Sequence, residues 1–147
     1  MPGVRRDMSA VRLPRSIVNQ LMQLAQKSPE EEICGLISRD RIGFKKCYPV
    51  DNVATDKKHF FALDPKQQIE AMRRMREHGE KLGAIYHSHP DSPPLPSRAD
   101  IDQHEYPDVL YLIISLSRKG LLELRGFHIL SRETREVAIA LVDESAS

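Results

Sequence analysis

The sequence has few cysteines and no long apolar segment, and both absences narrow the class of protein. Its 147 residues include only Cys34 and Cys47, so a disulfide framework is not expected and reduced thiols are the simpler interpretation. The N-terminal segment lacks the apolar run of a secretion signal, and no segment approaches the length that spans a membrane. We therefore expect a cytoplasmic protein that does not bind membranes.

A strong excess of charge of one sign is also missing. The chain has 22 lysines and arginines against 21 aspartates and glutamates, a net charge of +1. Proteins that bind nucleic acid usually have a clear basic excess, so nucleic acid is not expected as a partner. Hydrophobic residues at 40% and charged residues at 29% are typical of a folded soluble protein. We predict a flexible N-terminal tail over residues 1–11 and one folded domain over residues 12–143.

The hydrophobic pattern predicts an α/β protein. Apolar residues at helical spacing predict helices over residues 13–28 and 65–78, the second capped by Asp64 and ended by Gly79. A third, short helix is expected to begin at Ser97. Seven strands are predicted, over residues 33–38, 42–50, 59–63, 83–89, 109–116, 121–130 and 137–142. The first two form a hairpin, so the sheet has substantial antiparallel content, with helices packed against it.

Two histidines, His87 and His89, end the predicted strand 83–89. Residues two apart on a strand point to the same side, so both imidazoles are within reach of a common ion while Ser88 faces away. A loop with four prolines follows, and beyond it Ser97 and Asp100 share one face of the short helix. Two imidazoles and one carboxylate, with water in the fourth position, are a ligand set of catalytic zinc. Such a site lowers the pKa of water from roughly 15.7 to about 7.

Each of these residues also has a simpler explanation. Paired histidines on strands are often surface residues or hydrogen-bonded core groups. The Ser97–Asp100 spacing is that of a capping box, a role compatible with metal binding because a carboxylate has two oxygens. His104 lies four residues after Asp100 and could approach the same ion, although an exposed helical histidine is the simpler interpretation.

Hydrolysis also needs a group that moves a proton, and three glutamates precede the first predicted strand. Glu30, Glu31 and Glu32 are all explained equally well by a solvated turn. Glu32 is the best candidate of the three, because it begins the strand and shares a face with Cys34.

The combined pattern resembles the JAMM (MPN-plus) metalloprotease family, in its small stand-alone bacterial form. That family has His-x-His, seven residues, Ser-x-x-Asp and a distant upstream glutamate. Here His87 and His89 are followed by the seven residues 90–96 and then by Ser97 and Asp100, without a gap. Upstream, EICGL begins at Glu32 and resembles the family's Glu-x-Cys-Gly-Leu. The resemblance covers most of residues 13–142.

The resemblance implies a fold, a cofactor and a role for each of these residues. The fold would be a cytidine-deaminase-like JAMM fold with a mixed, largely antiparallel sheet. His87, His89 and Asp100 would bind one Zn²⁺ together with a water molecule. Glu32 would act as general base and then general acid, and Ser97 would donate a hydrogen bond to the oxyanion. Cys34 is expected to be a packed residue and not a nucleophile.

The resemblance also implies the kind of substrate. Members with this site hydrolyse peptide or isopeptide bonds at the C-terminal tail of ubiquitin-like or sulfur-carrier proteins, near a Gly-Gly sequence. The alternative is a non-catalytic MPN-type scaffold that binds partner proteins. A zinc deaminase is disfavoured, because its Cys-x-x-Cys element cannot be formed by Cys34 and Cys47.

Overall fold

The computed structural model describes residues 10–131 and 133–143. In chain order the strands are β1 Val11–Pro14, β2 Cys34–Arg39, β3 Phe44–Val50, β4 Lys81–His89, β5 Leu110–Arg118, β6 Leu121–Leu130, β7 Glu133–Val137 and β8 Ile139–Val142. Six of them form one sheet in the order β3–β2–β4–β5–β6–β7, and β1 pairs with β8 in a second sheet. Within the large sheet every neighbouring pair is antiparallel except β4 and β5.

The helices cover both faces of the large sheet. They are α1 Arg15–Gln26, α2 Pro65–Glu77 and α3 Arg98–Gln103. One core lies under α1 and contains Ile17, Leu21 and the β4 residue Tyr86. The other lies under α2 and contains Met75 and the β4 residue Ile85. Each fully buried aliphatic side chain stabilises the fold by about 1.5–3 kcal/mol, so both layers hold the sheet in place.

The parallel pair β4 and β5 determines where a site can form. Parallel neighbours need a crossover connection, which residues 90–109 provide with the proline loop and α3. The crossover returns α3 over the C-terminal end of β4, where the strand finishes with His87 and His89. The predicted mixed, largely antiparallel sheet packed with helices is confirmed. No helix in residues 10–131 and 133–143 is long and apolar enough to cross a membrane.

The predicted start of the first helix is wrong. Leu13 and Pro14 belong to β1, and α1 begins at Arg15. Val11, placed in the predicted tail, also lies in β1 and pairs with Ile139. A partner more than 120 residues away along the chain leaves no signal in local spacing. Residues 1–9 of the predicted tail lie outside the described residues.

Other boundaries differ for similar reasons. Residues 59–63 are not a strand, and only an isolated bridge joins Asn52 to Leu63. Asp64 occupies the N-cap position of α2 with Pro65 following, but its side chain makes no capping hydrogen bond. The predicted strand 137–142 is divided between β7 and β8. The first four residues of β7 are exposed, so an alternating hydrophobic pattern does not reveal this edge strand.

Gly35, three residues after Glu32, occupies a position in β2 where a side chain would not fit. A Cβ atom at Gly35 would collide with the phenol ring of Tyr86 on the neighbouring strand β4. The ring lies in the core beneath α1. Glycine therefore lets β2 and β4 pair closely over a large buried side chain.

Candidate active site

The two histidines lie inside the protein at the C-terminal end of β4. His87 and His89 are 1% and 2% exposed, and they continue the side of the strand that carries Ile85. Ser88 faces away, and its Oγ accepts a hydrogen bond from Ile33 N at 2.9 Å. The strand's period of two thus gives the imidazoles one common side, as the sequence predicts.

Asp100 brings a carboxylate oxygen to both imidazoles. Its Oδ2 lies 3.1 Å from His87 Nε2 and 3.2 Å from His89 Nε2, and the two Nε2 atoms are 3.0 Å apart. A tetrahedral ion with bonds of about 2.0–2.1 Å separates its ligand atoms by about 3.3 Å. Two nitrogens and one oxygen at these separations fit a divalent metal ion.

A capping box places Asp100 at this point. Ser97 Oγ accepts from Asp100 N at 3.0 Å, and Ser97 N donates to Asp100 Oδ2 at 2.8 Å. The predicted cap and the approach to the histidines therefore occur together. Because Ser97 Oγ accepts in the cap, its own hydroxyl proton is still available to a neighbouring acceptor.

The proline loop is anchored to the sheet on the histidine side. His89 Nδ1 donates to Pro93 O at 2.8 Å, and Ser115 Oγ of β5 donates to Ser92 O at 2.6 Å. A donating Nδ1 orients the ring so that Nε2 faces Asp100, which is how metal-binding histidines are usually held.

His87 is held by an aromatic ring. Phe61 stacks on the imidazole with centroids 4.3 Å apart and planes 20° from parallel. Among the described residues, His87 Nδ1 is buried without a hydrogen-bond partner. Burial lowers the pKa of His87, and this outweighs the opposite effect of Asp100, so the ring is neutral, the form that binds metal.

Glu32 is a second buried carboxylate beside the same rings. It is 5% exposed, and one ligand atom from each of Glu32, His87 and His89 lies within 4.8 Å of the others. Within the described part of the chain, Oε1 of Glu32 has no hydrogen-bond partner. Burial raises the pKa of Glu32 to about 8, His89 opposes the shift, and the negative charges of Asp100 and Asp56 add to it.

The pKa values of the two carboxylates shift in opposite directions, and so do those of the two histidines. The pKa of Asp100 is lowered where that of Glu32 is raised, and the pKa of His89 is raised where that of His87 is lowered. Burial would raise the pKa of Asp100, but His87, His89 and Ser97 N hold it well below its usual range. Burial would lower the pKa of His89, but its contacts with Asp100 and Pro93 O raise it. The cluster therefore pairs an ionised Asp100 with a protonated Glu32 near neutral pH.

Two cavities border the cluster. One of about 430 Å³ is lined by His87 and Asp100 together with Phe60, Phe61 and Tyr106. The other, of about 600 Å³, is lined by Glu32, Asn52 and residues of α1, β2, β3 and β4. His87 and Asp100 thus border one cavity, and Glu32 borders the other.

A family profile of prokaryotic homologs of the JAB domain matches residues 14–125. The chain belongs to this family. The JAB domain is the JAMM/MPN domain, so the resemblance found in the sequence is confirmed.

Relatives and a solved structure agree with this placement in the JAB family. A desampylase from Haloferax volcanii is 31% identical over 102 residues, 68% of this chain and 73% of the relative. A CysO-cysteine peptidase from Mycobacterium tuberculosis is 28% identical over 132 residues, 87% and 88% of the two chains. The solution structure of a Desulfitobacterium hafniense protein superposes with a TM-score of 0.81 at 29% identity, covering 92% of this chain and 95% of that one.

Cys34 and His104, two further candidate site residues of this JAB domain, lie beside the cluster. Cys34 donates its thiol to Val50 O at 3.4 Å, and burial raises its pKa to about 12, with Glu32 and Asp51 adding to it. A thiol that stays protonated is a poor nucleophile. His104 is half-buried and not exposed, since its Nδ1 donates to Ile101 O and its ring meets Tyr111 edge-on.

Asn52 and Phe61 both contact the JAB-family cluster. The segment 51–65 that carries them resembles an Asn-containing loop and a Phe-containing strand of bacterial family members, but the sequence does not predict a role for either side chain. The sequence predicts a strand at Phe61 and a loop at Asn52. Asn52 Nδ2 donates to Glu32 O at 2.9 Å, across 20 residues of sequence. A polar residue between two apolar segments is the available signal, but such residues are common in loops.

Proposed function

We propose that this JAB-family protein is a zinc-dependent peptidase that hydrolyses a peptide or isopeptide bond in the C-terminal tail of a ubiquitin-like or sulfur-carrier protein. The observation that carries the proposal is the convergence of His87 Nε2, His89 Nε2 and Asp100 Oδ2 within 3.0–3.2 Å of one another, with Glu32 buried beside them.

His87, His89 and Asp100 are the proposed ligands of one Zn²⁺ ion. Two nitrogens and one oxygen are a donor set that catalytic zinc sites use, and three protein ligands leave a position for water. Asp100 is preferred to Glu32 as the third ligand because its Oδ2 is about 3 Å from both rings. Glu32 lies beside the same rings, with a ligand atom within 4.8 Å of them, and its Oε1 bonds to no described residue, so it is assigned to the water and not to the ion.

Glu32 is the proposed general base and general acid. When bound, zinc polarises the substrate carbonyl and makes water acidic enough to attack near neutral pH. The pKa of about 8 applies to the metal-free site. The positive charge of a bound zinc ion would favour the ionised form of Glu32, which is the form that accepts a proton. Its Oε1, which bonds to no described residue, can take a proton from the attacking water and return it to the leaving amine.

Ser97 is the proposed donor to the oxyanion. Its Oγ already accepts from Asp100 N, which fixes the position of the oxygen and leaves the hydroxyl proton to donate. A donor held in place before the reaction stabilises negative charge as it develops on the carbonyl oxygen.

The proposed substrate follows from the cavity and the relatives. The cavity of about 430 Å³ beside His87 and Asp100 has room for the residues around a scissile bond. The relatives are named as a desampylase and a CysO-cysteine peptidase. A tail that ends near Gly-Gly suits a narrow approach to the cluster, because glycine has no side chain to exclude.

The test uses a small carrier protein whose Gly-Gly tail is extended by a few residues, with a lysine-linked conjugate of the same carrier in parallel. We expect zinc-loaded protein to release a product ending at Gly-Gly, as read by mass spectrometry. A chelator should abolish cleavage, and one equivalent of zinc should restore it. Failure to cleave either substrate, or cleavage that survives complete removal of metal, would refute the proposal.

A non-catalytic scaffold is the alternative. Binding alone does not require buried donors arranged around a common point, and a scaffold would have no reason to keep Glu32 buried at an energetic cost. Metal analysis separates the two functions. Purified protein that contains no zinc and acquires none on addition would favour the scaffold.

A further inference from the structure

Asn52 lies just after β3, and every polar atom of its side chain is used. Nδ2 donates to Glu32 O at 2.9 Å and to Phe60 O at 3.0 Å. Oδ1 accepts from Ala54 N and Ala62 N, both at 3.0 Å. A carboxamide has two N–H donors and two lone pairs on its oxygen, so these four bonds fill its capacity. Such complete use is unusual for a half-buried loop side chain.

The bonds of Asn52 reach two segments that flank His87. The first segment carries Glu32, the proposed proton carrier. The second carries Phe61, which lies between Phe60 and Ala62 and stacks on the His87 ring. One side chain therefore connects the backbone of the proposed base with the backbone on both sides of Phe61, the residue that braces a proposed ligand.

Regular sheet pairing does not hold either segment. Glu32 lies just before β2, and its amide donates at 2.7 Å to Lys57 O, in the loop between β3 and α2. Between β3 and α2 the described backbone makes one isolated bridge, from Asn52 to Leu63. Elsewhere in the site, strand ladders or a capping box fix the residues. In this loop the Asn52 carboxamide adds side-chain bonds to the few backbone bonds present, which include Glu32 N to Lys57 O and the pair beside the bridge.

We propose that Asn52 is a positioning residue of the peptidase site, holding the Glu32 backbone and the Phe61 loop in a fixed relation to His87. The inference rests on the proposed function. This positioning role requires an amide and not a carboxylate, because Asp at position 52 would place an oxygen against the carbonyl oxygens of Glu32 and Phe60. Both of those acceptors would then lose their donor.

The experiment compares Asn52→Ala and Asn52→Asp with the wild type, and uses Asn19→Ala, at an exposed position on α1, as the control. Melting temperature, kcat, KM and the zinc dissociation constant are measured for each protein. We expect Asn52→Ala to lower kcat by about 10–100-fold with KM within about threefold, because small misplacement of a reacting group is costly. The zinc dissociation constant should rise by about tenfold, as when support behind a ligand is lost.

Aspartate is nearly the same size as asparagine and keeps the acceptor for Ala54 N and Ala62 N. The Asn52→Asp variant therefore tests the positioning role even if Asn52→Ala does not fold. It should lower kcat at least tenfold, whereas wild-type kcat and zinc affinity in Asn52→Asp would overturn the proposal.

A double-mutant cycle shows whether Asn52 acts through Glu32. In a Glu32→Gln background, Asn52→Ala should lower kcat by less than about threefold, because the group that it positions is already disabled. An equal loss of kcat in both backgrounds would overturn the proposal.

If the wild type binds zinc but cleaves no carrier, the proposed function fails while the positioning role of Asn52 is still open to test. Zinc affinities then decide the role of Asn52, and equal values for wild type and Asn52→Ala would overturn it.

Discussion

Asp100 and Glu32 are buried carboxylates beside the same two histidines, and their surroundings differ. Asp100 Oδ2 meets both Nε2 atoms and accepts from Ser97 N, whereas Oε1 of Glu32 has no partner among the described residues. The pKa of Asp100 is held well below its usual range, and the pKa of Glu32 is raised to about 8. Environments that separate two carboxylates in this way assign a fixed negative charge to one and a transferable proton to the other.

The backbone around each carboxylate differs as well. Asp100 sits in a capping box whose partner is three residues away, so its position is determined locally. Glu32 is held by contacts from Asn52, Lys57 and, through Ile33, from Ser88. Asp100 is thus positioned by short-range structure and Glu32 by long-range contacts.

The largest effect on kcat is expected when the carboxylate of Glu32, the proposed proton carrier, is replaced. Glu32→Gln keeps the shape of the side chain but cannot accept a proton, so kcat should fall by about 10²–10⁴-fold while zinc content stays at one equivalent. Glu31→Gln, at the exposed neighbouring position, is the control and should keep wild-type kcat. Cleavage by Glu32→Gln at the wild-type rate would show that another group moves the proton.

The converse change removes the fixed charge. Asp100→Asn should raise the zinc dissociation constant by at least about 100-fold, more than the loss of a group that only supports a ligand. The control is Asp102→Asn on the same helix, whose carboxylate is exposed and meets Arg98. Competition with a chromogenic chelator measures both affinities. If Asp100→Asn and Glu32→Gln lost zinc equally, the division between the two carboxylates would be wrong.

The raised pKa of Glu32 predicts a pH dependence of stability in the metal-free protein. The folded-state pKa of about 8 exceeds the ordinary value of 4.5, so the folded state binds the proton more tightly than the unfolded state. The contribution to stability is complete below pH 4.5 and is lost as pH rises through about 8. Between about pH 5 and 7 the free energy of unfolding should therefore fall by about 2 kcal/mol more in wild type than in Glu32→Gln.

Chemical denaturation in the presence of a chelator measures this difference. Groups that do not interact with Glu32 titrate alike in both proteins and cancel in the comparison. His89, whose pKa Glu32 helps to raise, contributes to the difference. Parallel pH profiles for wild type and Glu32→Gln would mean that Glu32 is solvated and ionised in the folded protein.

The smallest effect concerns the cap that positions Asp100. Ser97→Ala removes one bond of the capping box and should lower the free energy of unfolding by about 1 kcal/mol. Ser97→Thr retains a hydroxyl and should lose less. If Ser97 also donates to the oxyanion, Ser97→Ala lowers kcat more than its small effect on zinc affinity explains. An alanine variant with wild-type kcat would leave Ser97 as a cap only.

The sequence determined the parts of this protein that depend on short spacing. His87 and His89 share a side because a strand has a period of two, and Ser97 and Asp100 form a capping box because they are three apart at a helix start. Their order and spacing also identified the family. The mixed sheet followed from the alternation of helical and strand patterns.

Tertiary structure alone decided the features that join distant segments. The pairing of β1 with β8, the stacking of Phe61 on His87 and the four bonds of Asn52 all lacked a local signal. The burial of Glu32, which sets its pKa, was equally invisible, since the neighbouring Glu31 is exposed. The physical reason is that desolvation and long-range hydrogen bonds depend on which segments the fold brings together, whereas periodicity and capping depend only on neighbours along the chain.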